Sequence, residues 1–311
     1  MMINFDYLGH IARYNRSFAD VAEFAKRLEN FTIAHNWINE HNALGASWVA
    51  GHNQFSDWSH AEYKAILGYA GRSETEVRAA PKVFDTSANA DTVNWVTAGD
   101  VTPVKDQGQC GSCWAFSSTG GLEGAHFVAT GTLLSFSEQQ LVDCAYIKYG
   151  NYGCNGGLQE NAYKYYEAGY KAELESVYPY TSGTGTKGSC QYSASSATAV
   201  DVSNYTNVTP DNVDQMKAAL NQQPLAVSIE ADKFCFQTYK SGVLNNPNCG
   251  TNLDHAVLAV GYGTDATAGD YWLVKNSWGT SWGESGYIRL AIVDGEGTCG
   301  VQMDPLFPTS N

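Results

Sequence analysis

Apolar residues recur at helical spacing between Ala19 and Asn42, where Val21, Phe24, Leu28, Phe31 and Ile38 share a side and Glu23 stands four residues before Arg27. That pattern predicts an amphipathic helix with a favourably oriented ion pair, one of two long helical stretches expected in the first 80 residues. From Gly68 to Asp91 the periodicity stops. GYAGRSETEVRAAPKVFDTSANAD is polar and small-residue-rich with one proline, the composition of a loosely held, cleavable linker. Beyond Val93 helices come first. WAFSSTGGLEGAHFVAT reads as one helix ending at Gly131 with Cys113 at its start. Ser137 to Gln140 ahead of LVDC reads as a capping box, and Asn161 to Tyr170 as a second run closed by Gly169. Strands follow: PLAVSIE, HAVLAVGYG, YWLVKNSW and GYIRLAIV are β-branched or aromatic runs between Gly, Asn and Asp turns. The order implies an α+β fold.

The chain has 311 residues, more than the usual single domain, so a large domain with an appended segment is expected. Its 18 basic and 32 acidic residues give a net charge of -14, which argues against nucleic acid and against anionic membranes as partners. No apolar run approaches the ~20 residues of a membrane span, and the opening residues lack the apolar centre of a signal peptide. A targeting segment is therefore expected to be cut off or left out. All eight cysteines lie at or beyond residue 110, a distribution that fits structural disulfides in an oxidising compartment. Asn15, Asn30, Asn204 and Asn207 begin Asn-x-Ser/Thr triplets that permit glycosylation.

Candidate chemistry centres on QGQCGSCW, residues 107 to 114. Cys110 and Cys113 could form a redox dithiol, but no βαβ pattern precedes them. They could form half a zinc site, but Cys144 and Cys154 are ten apart with no histidine near them. The third reading makes Cys113 a nucleophile, because a helix N-terminus stabilises a thiolate. A nucleophile needs a base. Beyond Ala80 only His126 and His255 are available, and His126 lies thirteen residues along the same helix, about 20 Å away at 1.5 Å per residue. His255 precedes an apolar strand, and a hairpin turning near Ala266 brings Asn276 within a residue or two of facing it. Nucleophile, base and orienting amide are the parts of covalent acyl transfer.

With DQGQCGSCWAFS, LVDC, GCNGG, LDHAV and KNSWG in this order, the chain from Glu23 to Pro308 resembles a papain-family cysteine protease precursor of the cathepsin L-like branch. The interval from His255 to Asn276 is longer than that pattern leads one to expect, an excess placed in GTDATAGD. The resemblance implies a papain-like two-lobed fold, with a helical left lobe and a β-barrel-like right lobe, preceded by a mostly helical propeptide. Residues 1–88 would be the inhibitory propeptide and 89–311 the mature peptidase.

The resemblance also implies roles. Cys113 is the nucleophile, His255 the general base and then acid, and Asn276 the residue that holds the imidazole. Gln107 supplies an oxyanion donor together with the Cys113 N–H. A thiolate–imidazolium pair is expected, with the thiol pKa in the range of roughly 3 to 4. Trp278 is expected to shield the Asn–His hydrogen bond, and Trp282 to pack. Disulfides would join Cys110 to Cys154, Cys144 to Cys190 and Cys249 to Cys299, leaving Cys235 a partly buried free thiol.

Gly156 and Gly157 suit a place where a substrate backbone must approach closely. Leu158, Gln159, Ser228, Leu253, Asp254 and Ala256 would line the substrate site around a mostly apolar S2 pocket. Asp304, at its floor, would admit Arg or Lys at P2 beside Leu or Phe.

Ahead of this domain, Glu23, Arg27, Phe31, Ile38 and Asn42 match the family's interspersed helix motif, with Ala34 where asparagine is usual. Gly51, Asn53, Phe55 and Asp57 match its second motif. A propeptide running through the cleft is therefore expected, released in acid as carboxylates such as Glu23 and Asp57 lose charge. The chain is expected to be a monomeric endopeptidase acting on peptide and protein substrates, inhibited by its own propeptide, without cofactor or metal. A lysosomal, vacuolar or secreted location is expected. The competing readings are a catalytically silent papain-like binding protein and a disulfide oxidoreductase, which would need Cys110 bonded to Cys113.

Overall fold

The computed structural model describes residues 2–71, 79–198 and 200–310. Two helices open the chain, α1 (Met2–Arg13) and α2 (Val21–Ala43), followed by the short strand β1 (Trp48–Ala50) and α3 (His60–Ala65). Asp20 caps α2 by accepting from Glu23 N. Ser59 and Glu62 form a complete capping box on α3. Glu23 and Arg27 approach to 3.8 Å as the spacing predicts, but Arg27 spends its fork on Glu62 at 2.7 and 2.8 Å, tying α2 to α3.

The second part begins with β2 (Val93–Asn94) and α4 (Trp95–Ala98). Then come α5 (Cys113–Thr130), α6 (Glu138–Cys144) and α7 (Gln159–Glu167). Gly131 ends α5 with φ 72°, and every residue from Cys113 to His126 is buried, so the helix is the spine of the molecule. Only half of the capping box read at Ser137 forms. Ser137 accepts from Gln140 N, whereas the Gln140 side chain bridges to Lys171 and Glu173.

The remaining elements are β3 (Val202–Asn207), α8 (Val213–Leu220), β4 (Leu225–Ile229), α9 (Phe234–Gln237), β5 (Tyr239–Leu244), β6 (His255–Asp265), β7 (Gly269–Lys275), β8 (Tyr287–Ala291) and β9 (Leu306–Ser310). Their sheet runs β1-β5-β8-β7-β6-β4-β9-β3, with β2 against β6, and β5 and β8 are its parallel pair among mainly antiparallel neighbours. This path has two ends, so the right lobe is not the barrel-like closure the resemblance implied. One end is β1, an edge strand contributed by the leading segment, with Trp48 opposite Gly242.

Two cores result. One collects Trp114, Leu122, Phe136, Leu141, Tyr163 and Tyr166 around the helices of the left lobe. The other fills the strand lobe with Phe236, Tyr239, Trp272, Trp278 and Trp282. It also contains Trp48, Phe55, Tyr63 and Ile66 from the leading segment. The leading segment thus shares a core with the domain that follows it.

The stretch read as a loose linker is held where it is described. Lys82 bridges to Val208, and buried Phe84 exchanges hydrogen bonds with Gln215 and packs on Phe307. Composition hid this because the holding groups are main-chain amides. Residues 72–78 of that stretch lie outside the described residues. Asn207, one of the glycosylation triplets, is buried, and its amide donates to Ala79 O.

Candidate active site

Cys113 opens α5 and is fully buried. Its Sγ accepts from two amides, Ala256 N at 3.4 Å and Gly68 N at 3.2 Å. The first is the second residue of β6, so the start of that strand reaches the sulfur and His255 is the residue just before that amide, although no hydrogen bond joins its ring to Cys113. His255 Nε2 lies 2.8 Å from Asn276 Oδ1, the residue just beyond β7. Asn276 Oδ1 also accepts from Ser277 N at 2.8 Å, which fixes it as an acceptor. The proton therefore sits on Nε2, and Nδ1 is the basic nitrogen, buried and without a hydrogen-bond partner. The β6–β7 pair carries a bulge between Ala259 and Gly261 and turns after Asp265, which accommodates the extra length in GTDATAGD. Trp278 stacks on the His255 ring with centroids 4.7 Å apart, while Trp282 packs in the core behind it.

The charge state departs from the sequence expectation. Burial pushes the Cys113 thiol up to about 12, only partly offset by the amides of Ala256 and Gly68. Burial likewise draws His255 down to about 4 against the support of Asn276. Burial thus favours the neutral form of both groups, with the chain at Gly68 lying on the sulfur.

Gln107 is buried beside this pair. Its Nε2 donates to Ile66 O and to Cys110 O, both at 2.8 Å. Its Oε1 accepts from Ser277 Oγ at 2.7 Å, and its N–H donates to Ser277 O at 2.9 Å. Ser277 thus ties Gln107 to the strand end that carries Asn276. Sequence reasoning quoted Ser277 within KNSWG but gave it no part.

The chain after α3 runs directly through this site. Gly68 O accepts from Gly157 N at 3.0 Å, Ala70 N donates to Gly157 O at 3.1 Å, and Tyr69 N donates to Asp254 O at 3.0 Å. Tyr69 and Gly157 form a parallel bridge. A Cβ on Gly68 would come within 1.9 Å of Gly111 O, and one on Gly157 within 2.5 Å of Asn151 Oδ1, so neither position tolerates a side chain. Tyr69 packs with Leu158, Ala256 and Leu253. Its hydroxyl donates to Asp304 Oδ2 at 2.8 Å. Gly156 faces Gly68 O. Asp254 turns its carboxylate away to accept from Ala231 N, and burial pushes it up to about 7. Gln159 donates to Ser117, Val227 and Ser228 beneath the cleft, so its amide and the Ser228 hydroxyl brace the lobe interface. Nothing in the composition of Gly68–Ala70 foretold these contacts.

Disulfides join Cys110 to Cys154, Cys144 to Cys190 and Cys249 to Cys299. Cys113 and Cys235 are free, and burial pushes the Cys235 thiol up to about 11. His126 packs on the far part of α5 against Phe136. Among the described residues there is no cluster suited to a metal ion, and no helix is long and apolar enough to cross a membrane.

Two family patterns match the chain: the Papain family cysteine protease over residues 89–309, and the cathepsin propeptide inhibitor domain over residues 9–63. Digestive cysteine proteinase 1 of Homarus americanus is 41% identical over 304 residues, covering 96% of this chain and 92% of that protein. Cathepsin L of Sarcophaga peregrina is also 41% identical, over 311 residues, covering 96% of this chain and 90% of that protein. Among solved structures, a digestive procathepsin L 3 of Tenebrio molitor larval midgut superposes with a TM-score of 0.87 at 33% identity, covering 99% of both chains. A recombinant stem bromelain precursor superposes at 0.88 with 35% identity, again over 99% of each. The sulfur at the head of α5, the imidazole at the head of β6 and a leading segment laid across both have a common explanation: the chain belongs to the papain family of cysteine proteases, peptidases that hydrolyse peptide bonds, and it is a zymogen carrying its own propeptide inhibitor domain.

Proposed function

We propose that the released domain is an endopeptidase in which Cys113, His255, Asn276 and Gln107 carry the reaction. The observation that carries this reading is that a peptide main chain already lies on these groups, with Gly68 N on the sulfur and Ile66 O on the Gln107 amide. In the reaction the Cys113 thiolate bonds to the scissile carbonyl carbon, and the π electrons move to the oxygen. Gln107 Nε2 and the Cys113 N–H receive that oxyanion. The tetrahedral intermediate then collapses as His255 gives its proton to the leaving amine, leaving a thioester. Water next attacks the thioester, His255 takes its proton, and the thiol is released. The propeptide resists this course because it presents an N–H, not a carbonyl carbon, to the sulfur.

The S2 pocket is read from Tyr69. An aromatic ring among Leu158, Ala256 and Leu253 with its hydroxyl on Asp304 supports a pocket that takes an apolar stem with a donor at its tip. Arg, Lys and Tyr at P2 fit beside Leu and Phe.

Release in acid has two supports in the propeptide. Burial alone would raise the Glu62 carboxyl, but hydrogen bonds from Arg27 and Ser59 outweigh it and hold it below the usual carboxylate range. Its contribution is full above the ordinary carboxylate pKa and is lost as pH falls through the depressed value. Half-buried His52, stacked on Phe31 and touching His35, is drawn down to about 4 by burial and by the neighbouring histidines. The unfolded state, near the ordinary His value of about 6.5, binds the proton more readily, so stability falls as pH drops from there towards 4. Asp57, gripped by Arg16 at 3.1 Å and near His10, joins the same helices by a further ion pair. Residues 1–88 then leave and 89–311 act as a monomer in an acidic, oxidising lysosomal, vacuolar or secreted setting.

The test is incubation of the precursor at pH 4 and at pH 7, N-terminal sequencing of the product, and hydrolysis of matched P2 Leu and P2 Arg peptides. Cleavage within residues 68–91 at pH 4 alone is expected, with both peptides cut. In Asp304→Ala the P2 Arg to P2 Leu ratio should fall about tenfold or more, the worth of one charge-assisted hydrogen bond. A precursor silent at both pH values, or an unchanged ratio, contradicts the corresponding part of the reading.

A further inference from the structure

Behind Asn276, where the lobes meet, lies a cavity of about 20 Å³ lined by Lys105, Glu123 and Glu138 of the left lobe and by Lys275 and Asn276 at the end of β7. A water needs on the order of 10–15 Å³ and two to four polar partners. Two of the lining residues carry buried polar atoms that no protein group satisfies: Asn276 Nδ2, a donor, and Glu138 Oε2, an acceptor. Neither is an accident of orientation. Asn276 Oδ1 is fixed as an acceptor by Ser277 N and His255, which leaves the NH2 pointing the other way. Glu138 Oε1 is fully used by Lys105 Nζ at 2.6 Å and Thr119 Oγ1 at 2.5 Å.

We propose that this cavity binds one water, accepting from Asn276 Nδ2 and donating to Glu138 Oε2, and that Glu138 is thereby a positioning residue for the Asn276–His255 pair. The inference rests on the catalytic reading given above. Linked hydrogen bonds polarise one another, so a carboxylate at the far end of the chain strengthens Asn276 Oδ1 as acceptor for the protonated His255 ring. It also stops the amide from rotating about its bond to the backbone. The carboxylate that does this is itself embedded in charge, facing Lys105, Glu123, Glu175 and Lys275. Burial pushes the Glu138 carboxyl up, and Lys105 Nζ at 2.6 Å from Oε1 pulls against it in favour of the carboxylate.

The test is the pH dependence of peptide hydrolysis by acid-activated Glu138→Gln, alone and in an Asn276→Ala background. In Glu138→Gln the imidazolium loses support, so the acid limb should move up and the alkaline limb down, with kcat lowered by a factor of about 2 to 10 and KM unchanged. With Asn276→Ala the same substitution should narrow the profile no further. An unchanged profile accompanied only by a lower melting temperature overturns the proposal. So does equal narrowing in both backgrounds, which would mean that the coupling bypasses Asn276. Should Glu138→Gln not fold, a crystal structure of the unaltered precursor decides: a water within hydrogen-bond distance of both Asn276 Nδ2 and Glu138 Oε2 is expected, and its absence overturns the proposal. If the unaltered enzyme cut nothing after activation, the catalytic reading would fail, and the crystallographic test of the water would still stand.

Discussion

At the scale of single residues the oxygens of the site's two amide side chains are fixed by hydrogen bonds, while His255 Nδ1 and Asn276 Nδ2 have no protein partner. Asn276 Oδ1 serves His255 and Ser277, and Gln107 is pinned at both ends of its side chain by Ser277 and by the peptide it faces. Preorganisation of this kind is what makes one donor valuable, because no reorganisation is needed as charge develops. Gln107→Ala is expected to lower kcat about 10²- to 10³-fold, the loss of one oxyanion donor, with the activated enzyme still folded. A stopped assay with an ester and an amide substrate measures it, and a loss smaller than about threefold on both would remove Gln107 from the mechanism. Cys113, His255 and Asn276 could be nominated from the chain because the helix start, the few histidines beyond Ala80 and the hairpin leave few other candidates, whereas Gln107 came only from the family resemblance. Ser277 and Tyr69 could not. Their work is done through pairings with Gln107 and Asp304, 170 and 235 residues away in sequence, and nothing local marks them.

Among the elements, the long helices α2 and α5 were legible because period and caps are local, whereas α3 and α8 were not read from the sequence. The bounds found, Val21–Ala43 for α2 and Cys113–Thr130 for α5, lie close to the apolar pattern. The segment Ile66 to Ala70 was not legible, because it forms its contacts through main-chain N–H and C=O groups that every residue shares. What locks it is α3. Tyr63 is fully buried there, donates to Ala231 O at 2.8 Å, and lies edge-on to Trp278 at 5.6 Å, so the helix that ends at Ala65 aims the chain into the cleft. Removing such a ring costs about 3–5 kcal/mol. Tyr63→Ala should therefore weaken inhibition by the separately made propeptide at least a hundredfold, as 1.4 kcal/mol is a factor of ten. Inhibition constants against the activated enzyme check this, and an unchanged constant would mean that α3 does not position the segment.

For the whole molecule, the leading segment is less a lid than a third contributor to the strand lobe. It adds β1 at the sheet edge and seven buried apolar residues, from Ile38 to Phe84, to the core. Order of elements sufficed to anticipate an α+β domain. It could not anticipate an open sheet completed by the propeptide, since strand pairing between Trp48 and Gly242 joins residues that carry no mutual signal. The same arrangement couples shape to charge. While Gly68 covers the sulfur, burial favours neutral Cys113 and His255, and the proposed reading requires that removal of the propeptide let the ion pair form.

That coupling is open to one direct measurement: the rate at which a small alkylating reagent modifies Cys113, followed by peptide mass analysis across pH 3 to 9 in the intact precursor and in the acid-activated enzyme. The account requires Cys113 to be nearly inert in the precursor at neutral pH, and to react after activation with a bell-shaped profile whose limbs belong to the thiol and to His255. Rapid modification in the intact precursor, or a Cys113 that after activation reacts only as an ordinary thiol near pH 8 to 9, would contradict it.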